Sequence, residues 1–171
     1  MKELLPTIVC NTTSAKEHVA EAERKIRVVK ERNRGVVNTP PFTYTPRQMN
    51  TEFIYLVTIW INAFPAKSGV SEIFSTREIL LRWIMDAKKH CRVLPGSYCK
   101  VHDEPNPTNT TVRRTHEGIA LGPTRNLQGS VKFYCLNTGQ VLKQRAFTEI
   151  PMPTTVIAKV DKIGKEENQG K

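Results

Sequence analysis

The spacing of apolar residues changes period near Arg92, and this change confines the chain to helices first and strands after. Upstream, apolar side chains recur at steps of three and four, the period of a helix with one buried face. Downstream they recur at steps of two, the period of a strand with one buried face. A chain of 171 residues with the two patterns in separate blocks reads as α+β, one domain or one and a half small ones.

The helical block opens with Ile8, Val9 and Cys10, a short strand with no partner nearby in sequence. It feeds into a helix from Thr12 to Arg34. Ser14 is a good N-cap and Glu17 completes a capping box. Ala15, Val19, Ala22, Ile26 and Val29 form its apolar stripe, and Gly35 is the expected stop. A proline-rich connection follows. Thr45 is the expected cap of the next helix, with Pro46 at its first position. Met49, Phe53, Leu56, Trp60 and Phe64 give that helix an aromatic core face until Pro65 ends it. Ser75 and Glu78 form a second capping box, opening a short helix through Leu80, Leu81 and Trp83.

In the β block, the stretches 92–102, 117–121, 130–136 and 140–150 are strand candidates. Asn137-Thr138-Gly139 joins the last two as a tight hairpin. Val131, Phe133 and Cys135 alternate with Lys132 and Tyr134, as in a half-buried strand. Such strands close into a small barrel or pack as a small sheet. Pro151 and Pro153 end them. Val156, Ile157, Val160 and Ile163 allow one weak helix before a polar tail expected to be disordered. The reading is three segments: helical 1–91, an antiparallel β-barrel-like module 92–153, and 154–171.

A formal net charge of +10 and a pI near 9.7 point to a polyanionic partner, nucleic acid before anionic membrane. The longest apolar run, residues 53–64, is short for a membrane span and contains Thr58 and Asn62. The first residues are too short and too interrupted by Pro6 for a secretory signal. Four scattered cysteines then argue for reduced thiols in an intracellular protein.

Two constellations bear on chemistry. At about 100° per residue, Glu23, Arg27, Lys30 and Arg34 line one border of the first helix's apolar stripe. A helix holding a metal ion with the carboxylate and phosphates with the cations needs that alignment; so does an ordinary solvated face with i,i+4 pairs. His90, Cys91, Cys99 and His102 are the other set. Only Cys99 and His102 have a zinc-like step, and on one strand they point to opposite faces, so core and surface roles are preferred. No glycine-rich phosphate loop, nucleophile elbow or H-E-x-x-H motif is present.

Ala22-Glu23-Arg24, Arg27 and Glu31-Arg32 resemble the segment of copia-type retrotransposon integrases that carries the last acid of the catalytic D,D,E triad. The Trp60 helix with Asn62 and Phe64-Pro65, the stretch from Lys88 to His102, and the strands up to Pro153 are similar to the region downstream of the catalytic core in such polyproteins. The resemblance implies a ribonuclease H-like fold, here a truncated core of one strand and helices, and polynucleotidyl transfer with two magnesium ions. It makes Glu23 the third metal-binding carboxylate, with Glu21 as the alternative in a shifted register. It places Arg27 and Lys30, flanked by Arg24 and Arg34, on DNA phosphates, and implies a nuclear location. The triad's two Asp residues belong upstream of this helix, while Asp86, Asp103 and Asp161 all come later. The expectation is a fragment that binds DNA, is inactive by itself, and has intact integrase or the rest of a polyprotein as partner. The alternative is a stand-alone basic nucleic-acid-binding module without catalysis.

Overall fold

Apolar steps of three and four become helices and steps of two become strands in the computed structural model, which describes residues 19–67, 71–82, 84–102 and 113–169. Helix α1 spans Ala20–Asn38, α2 Arg47–Ala63, α3 Thr76–Leu81 and α4 Ala87–His90. Strands β1 (Tyr98–His102), β2 (Thr115–Pro123), β3 (Val131–Cys135), β4 (Val141–Gln144) and β5 (Phe147–Glu149) follow, and α5 covers Thr154–Glu166. The class is α+β. The expected strand at Ile8–Cys10, the Ser14 capping box and Trp83 lie outside the described residues.

Helix α1 does not stop at Gly35. It runs on to Asn38, where Val37 is buried and Val36 packs against the core. An interior glycine costs about 1 kcal/mol relative to alanine, while burying a valine contributes about 1.5–3 kcal/mol, so the helix continues. The expected stripe divides: Val29 is half-buried, but Ala22 and Ile26 are exposed.

The start of α2 is displaced by one residue from expectation. Pro46 is the N-cap and Arg47 the first helical residue, because the buried Thr45 hydroxyl donates instead to Asn50 Oδ1 at 2.6 Å. The first backbone N–H of α2 is satisfied from far away, by Glu167 Oε2 at 2.6 Å. Met49, Phe53 and Leu56 are buried as their spacing predicts, together with Val57 and Ile59. Trp60 is half-buried and Phe64 exposed, and the two stack on each other at 6.1 Å. Ser75 caps α3, its hydroxyl accepting from Glu78 N at 3.1 Å.

The five strands form one antiparallel sheet in the order β4-β3-β2-β1-β5. The stretch expected as one last strand is two, β4 and β5, at opposite edges of the sheet. Only Arg145 and Ala146 join them, and so short a link spans at most about 10 Å between its flanking residues. The sheet is therefore curled until its edges meet at that corner, where His102 N donates to Ala146 O at 3.1 Å. A register shift in β2 between Ala120 and Gly122 assists the bend. No ladder joins β4 to β5, so the expected barrel is an open sheet. The predicted β3–β4 hairpin is present, with Gly139 in the left-handed region (φ +69°) and its N–H on Cys135 O at 2.8 Å.

The sheet is apolar on both faces. Cys99, Val101, Ala120, Val131 and Phe133 cluster on one, closed over by Val93 and Phe147. Tyr98, Ile119, Leu121 and Tyr134 lie on the other, beneath Val37 of α1, Met49 and Phe53 of α2, and Val156 and Val160 of α5. Stretches 1–91, 92–153 and 154–171 all contribute to this core. Lys132 of β3 and Glu52 of α2 add a mostly buried ion pair at 2.6 Å.

The terminal helix is longer than its weak apolar pattern promises, because polar contacts hold it too. Asp161 Oδ1 accepts from Thr43 N (2.7 Å) and Tyr44 N (2.9 Å). Gly164 lets α5 approach the same turn: a Cβ there would lie 2.8 Å from Tyr44 C and 2.9 Å from Thr45 N. No described helix is long and apolar enough to cross a membrane; the run of residues 53–64 is part of α2 on the sheet.

Candidate nucleic-acid interface

Residues 19–27, at the start of α1, are exposed throughout. Glu21 and Glu23 lie in the first helical turn, where the unsatisfied N–H groups of a helix favour negative charge. Glu23, Arg27, Lys30 and Arg34 are all exposed and follow one another at steps of four, three and four. These steps keep the four within about 60° of each other around the axis, over a length of about 16 Å. That length matches about five base-pair steps of duplex at 3.4 Å per step. Three cations along one line of a solvent-facing helix can meet successive phosphates without moving the fold.

The flank brings together some of the expected residues and separates others. Arg24 stands about 100° around the helix from Glu23, outside the line. Glu21 is about 160° away, so the two acids address different directions. Among the described residues no group of three His, Cys, Asp or Glu could hold a metal ion. The described residues do not fit a two-magnesium site, and no metal-dependent step is assigned to them.

The zinc candidates are engaged elsewhere. His90 is buried, its Nδ1 at 2.8 Å from Asp86 O and its Nε2 at 3.1 Å from Asn126 O. Cys99 is buried in the sheet, while His102 Nε2 lies 3.1 Å from Thr148 Oγ1. Burial, and then the Glu149 carboxylate, push the Cys99 thiol up to about 12, so it stays protonated and unreactive near neutrality. Cys91 is exposed, but partial desolvation and Asp86 raise its pKa as well. In Cys135 burial again pushes the pKa up but is outweighed: hydrogen bonds from Thr138 and Asn137 draw it below the ordinary value. Its side chain is buried all the same.

A second basic group escaped the reading of the sequence. Lys88, Lys89, Arg92 and Arg145 line one cleft, although more than fifty residues separate Arg92 from Arg145. The only local signal is a pair of short basic runs, and nothing in either says that they meet. No protein-family model, curated protein or solved structure matches the chain.

Proposed function

We propose that this chain is part of a copia-type retrotransposon integrase that binds DNA through α1 and does not carry out strand transfer by itself. In this reading residues 1–91 derive from the end of a ribonuclease H-like core, and 92–153 from the β module next to it. The observation that carries the DNA-binding part is the alignment of Arg27, Lys30 and Arg34 on the exposed flank of α1. The motif Ala22-Glu23-Arg24 with Arg27 and Glu31-Arg32 supports the integrase part, and the net charge of +10 suits a polyanion. Glu23 is the inherited acid of the triad, with Glu21 as the alternative. A role in DNA integration implies work in the nucleus, alongside intact integrase or the rest of the polyprotein.

The test is binding of the full chain to labelled duplex DNA over a range of salt. Each phosphate neutralised adds about 0.9 to the slope of log K against log salt. Arg27→Ala with Lys30→Ala therefore lowers the slope by about two, and alanine preserves the helix. A weaker complex with an unchanged slope would remove these residues from the phosphates. Strand transfer or nicking with Mg2+ that Glu23→Gln abolishes would overturn the inactive part.

The stand-alone binding module is favoured by a different observation. Helix α5 returns to the start of α2 through Asp161 and Glu167, so described residues from both ends share one core. A single cooperative melt of the isolated chain, with coincident spectroscopic transitions, supports this self-sufficient fold. A broad melt whose probes disagree would support a fold cut from a larger one.

A further inference from the structure

We propose that the cleft between α4 and the β4–β5 corner is a second phosphate-binding site, which takes the backbone of a nucleic acid. It measures about 690 Å³, and Lys88, Lys89, Arg92 and Arg145 line it with Leu127 and Gln128. No carboxylate is among the lining residues. The neighbouring acid, Asp86, is already engaged: one oxygen accepts from Lys88 N at 2.9 Å and the other lies 3.7 Å from Lys89 Nζ.

The walls are fixed, and the cationic side chains stand along them within reach of a ligand. The buried His90 ring lies between Asp86 O and Asn126 O and so fastens α4 to the 126–129 turn. Arg92 donates to Arg145 O at 3.0 Å, and its guanidinium lies 4.7 Å over the Phe147 ring. These contacts set four cationic residues along one cleft, a concentration of positive charge that suits a polyanion. The side chains of Lys88, Lys89 and Arg145 remain exposed. The space is far larger than a single phosphate needs. Exposed Leu127 and Gln128 on its lining add an apolar surface and an amide for sugar and base, which a simple anion leaves unused.

The polymeric partner rests on the DNA-binding reading given above, but the residues are distinct from those on α1. The full chain is tested with labelled duplex between about 50 and about 200 mM salt. Lys88→Ala, Lys89→Ala and Arg145→Ala together are expected to flatten the slope of log K against log salt by about three, with the melting temperature unchanged. Arg92 is kept because it holds the wall.

A wild-type slope in the cleft variant, with flattening in Arg27→Ala/Lys30→Ala, overturns the cleft site alone. Flattening in the cleft variant only upholds the cleft and overturns the α1 flank; two wild-type slopes overturn both. Should the triple variant melt lower, Lys88→Gln with Arg145→Gln keeps the side-chain stems and carries the same test, with a loss of about two in slope. Release of DNA by inorganic phosphate at constant ionic strength would mark a small-anion site and overturn the nucleic-acid assignment.

Discussion

Gly35 and Gly164 both sit inside helices, and alanine at each is expected to act in opposite senses. Around Gly35 no atom lies within 4 Å of an added Cβ, so Gly35→Ala stabilises by about 0.5–1 kcal/mol, the ordinary helix gain. At Gly164 the added Cβ meets the backbone of Tyr44 and Thr45, and the chain must shift. Gly164→Ala therefore destabilises by about 1–3 kcal/mol, and thermal melts check both signs. A gain at Gly164 would mean that α5 does not press on the α1–α2 connection. Glu117 gives a residue-scale pH test. Its hydrogen bond from Lys100 at 2.8 Å holds its pKa below the ordinary 4.5 and raises that of Lys100 above 10.5. The Glu117 contribution to stability is complete above about pH 4.5 and is lost as pH falls through the lowered folded value. The Lys100 contribution is complete below about pH 10.5 and is lost as pH rises through the raised one. Glu117→Gln is expected to flatten the acid limb of a stability–pH curve; an unchanged limb would remove the pair from that dependence. Of these residues the sequence marked only Gly35, as a stop. Its local signal is a genuine one, but buried Val37 and half-buried Val36 beyond it decide the outcome.

Elements were legible where local pattern and final environment agree. Helix α2 and the β3–β4 hairpin follow from apolar spacing and from Asn137-Thr138-Gly139, because each packs against the sheet or folds on itself. Helix α1 was half legible. Its apolar stripe has the right period, yet only its end, with Val36 and Val37, reaches the core. Amide exchange is therefore expected to be graded, with fast exchange over residues 20–27 and slow exchange near Val37. Uniform slow exchange along α1 would contradict its exposed first half. The full length of helix α5, of which the apolar pattern showed only a weak helix, and the β4–β5 corner were illegible for a different reason. The first depends on carboxylates reaching backbone N–H groups more than a hundred residues away. The second depends on how far the sheet curls. Neither quantity is written in any window of the chain.

For the whole molecule, the same distinction divides the two basic surfaces. The α1 flank was visible in the sequence because helical period alone aligns Glu23, Arg27, Lys30 and Arg34. The cleft at Lys88, Lys89, Arg92 and Arg145 was not, since folding brings its parts together. The central claim is that α1 meets DNA with one flank only, and lysine acetylation read by mass spectrometry tests it most directly. Lys30 lies on the flank, while Lys25 is about 140° away around the same helix. Both are exposed in the free chain. Bound duplex is expected to shield Lys30 and leave Lys25 as reactive as before. Equal shielding of the two, or an unshielded Lys30 in the complex, would contradict the account.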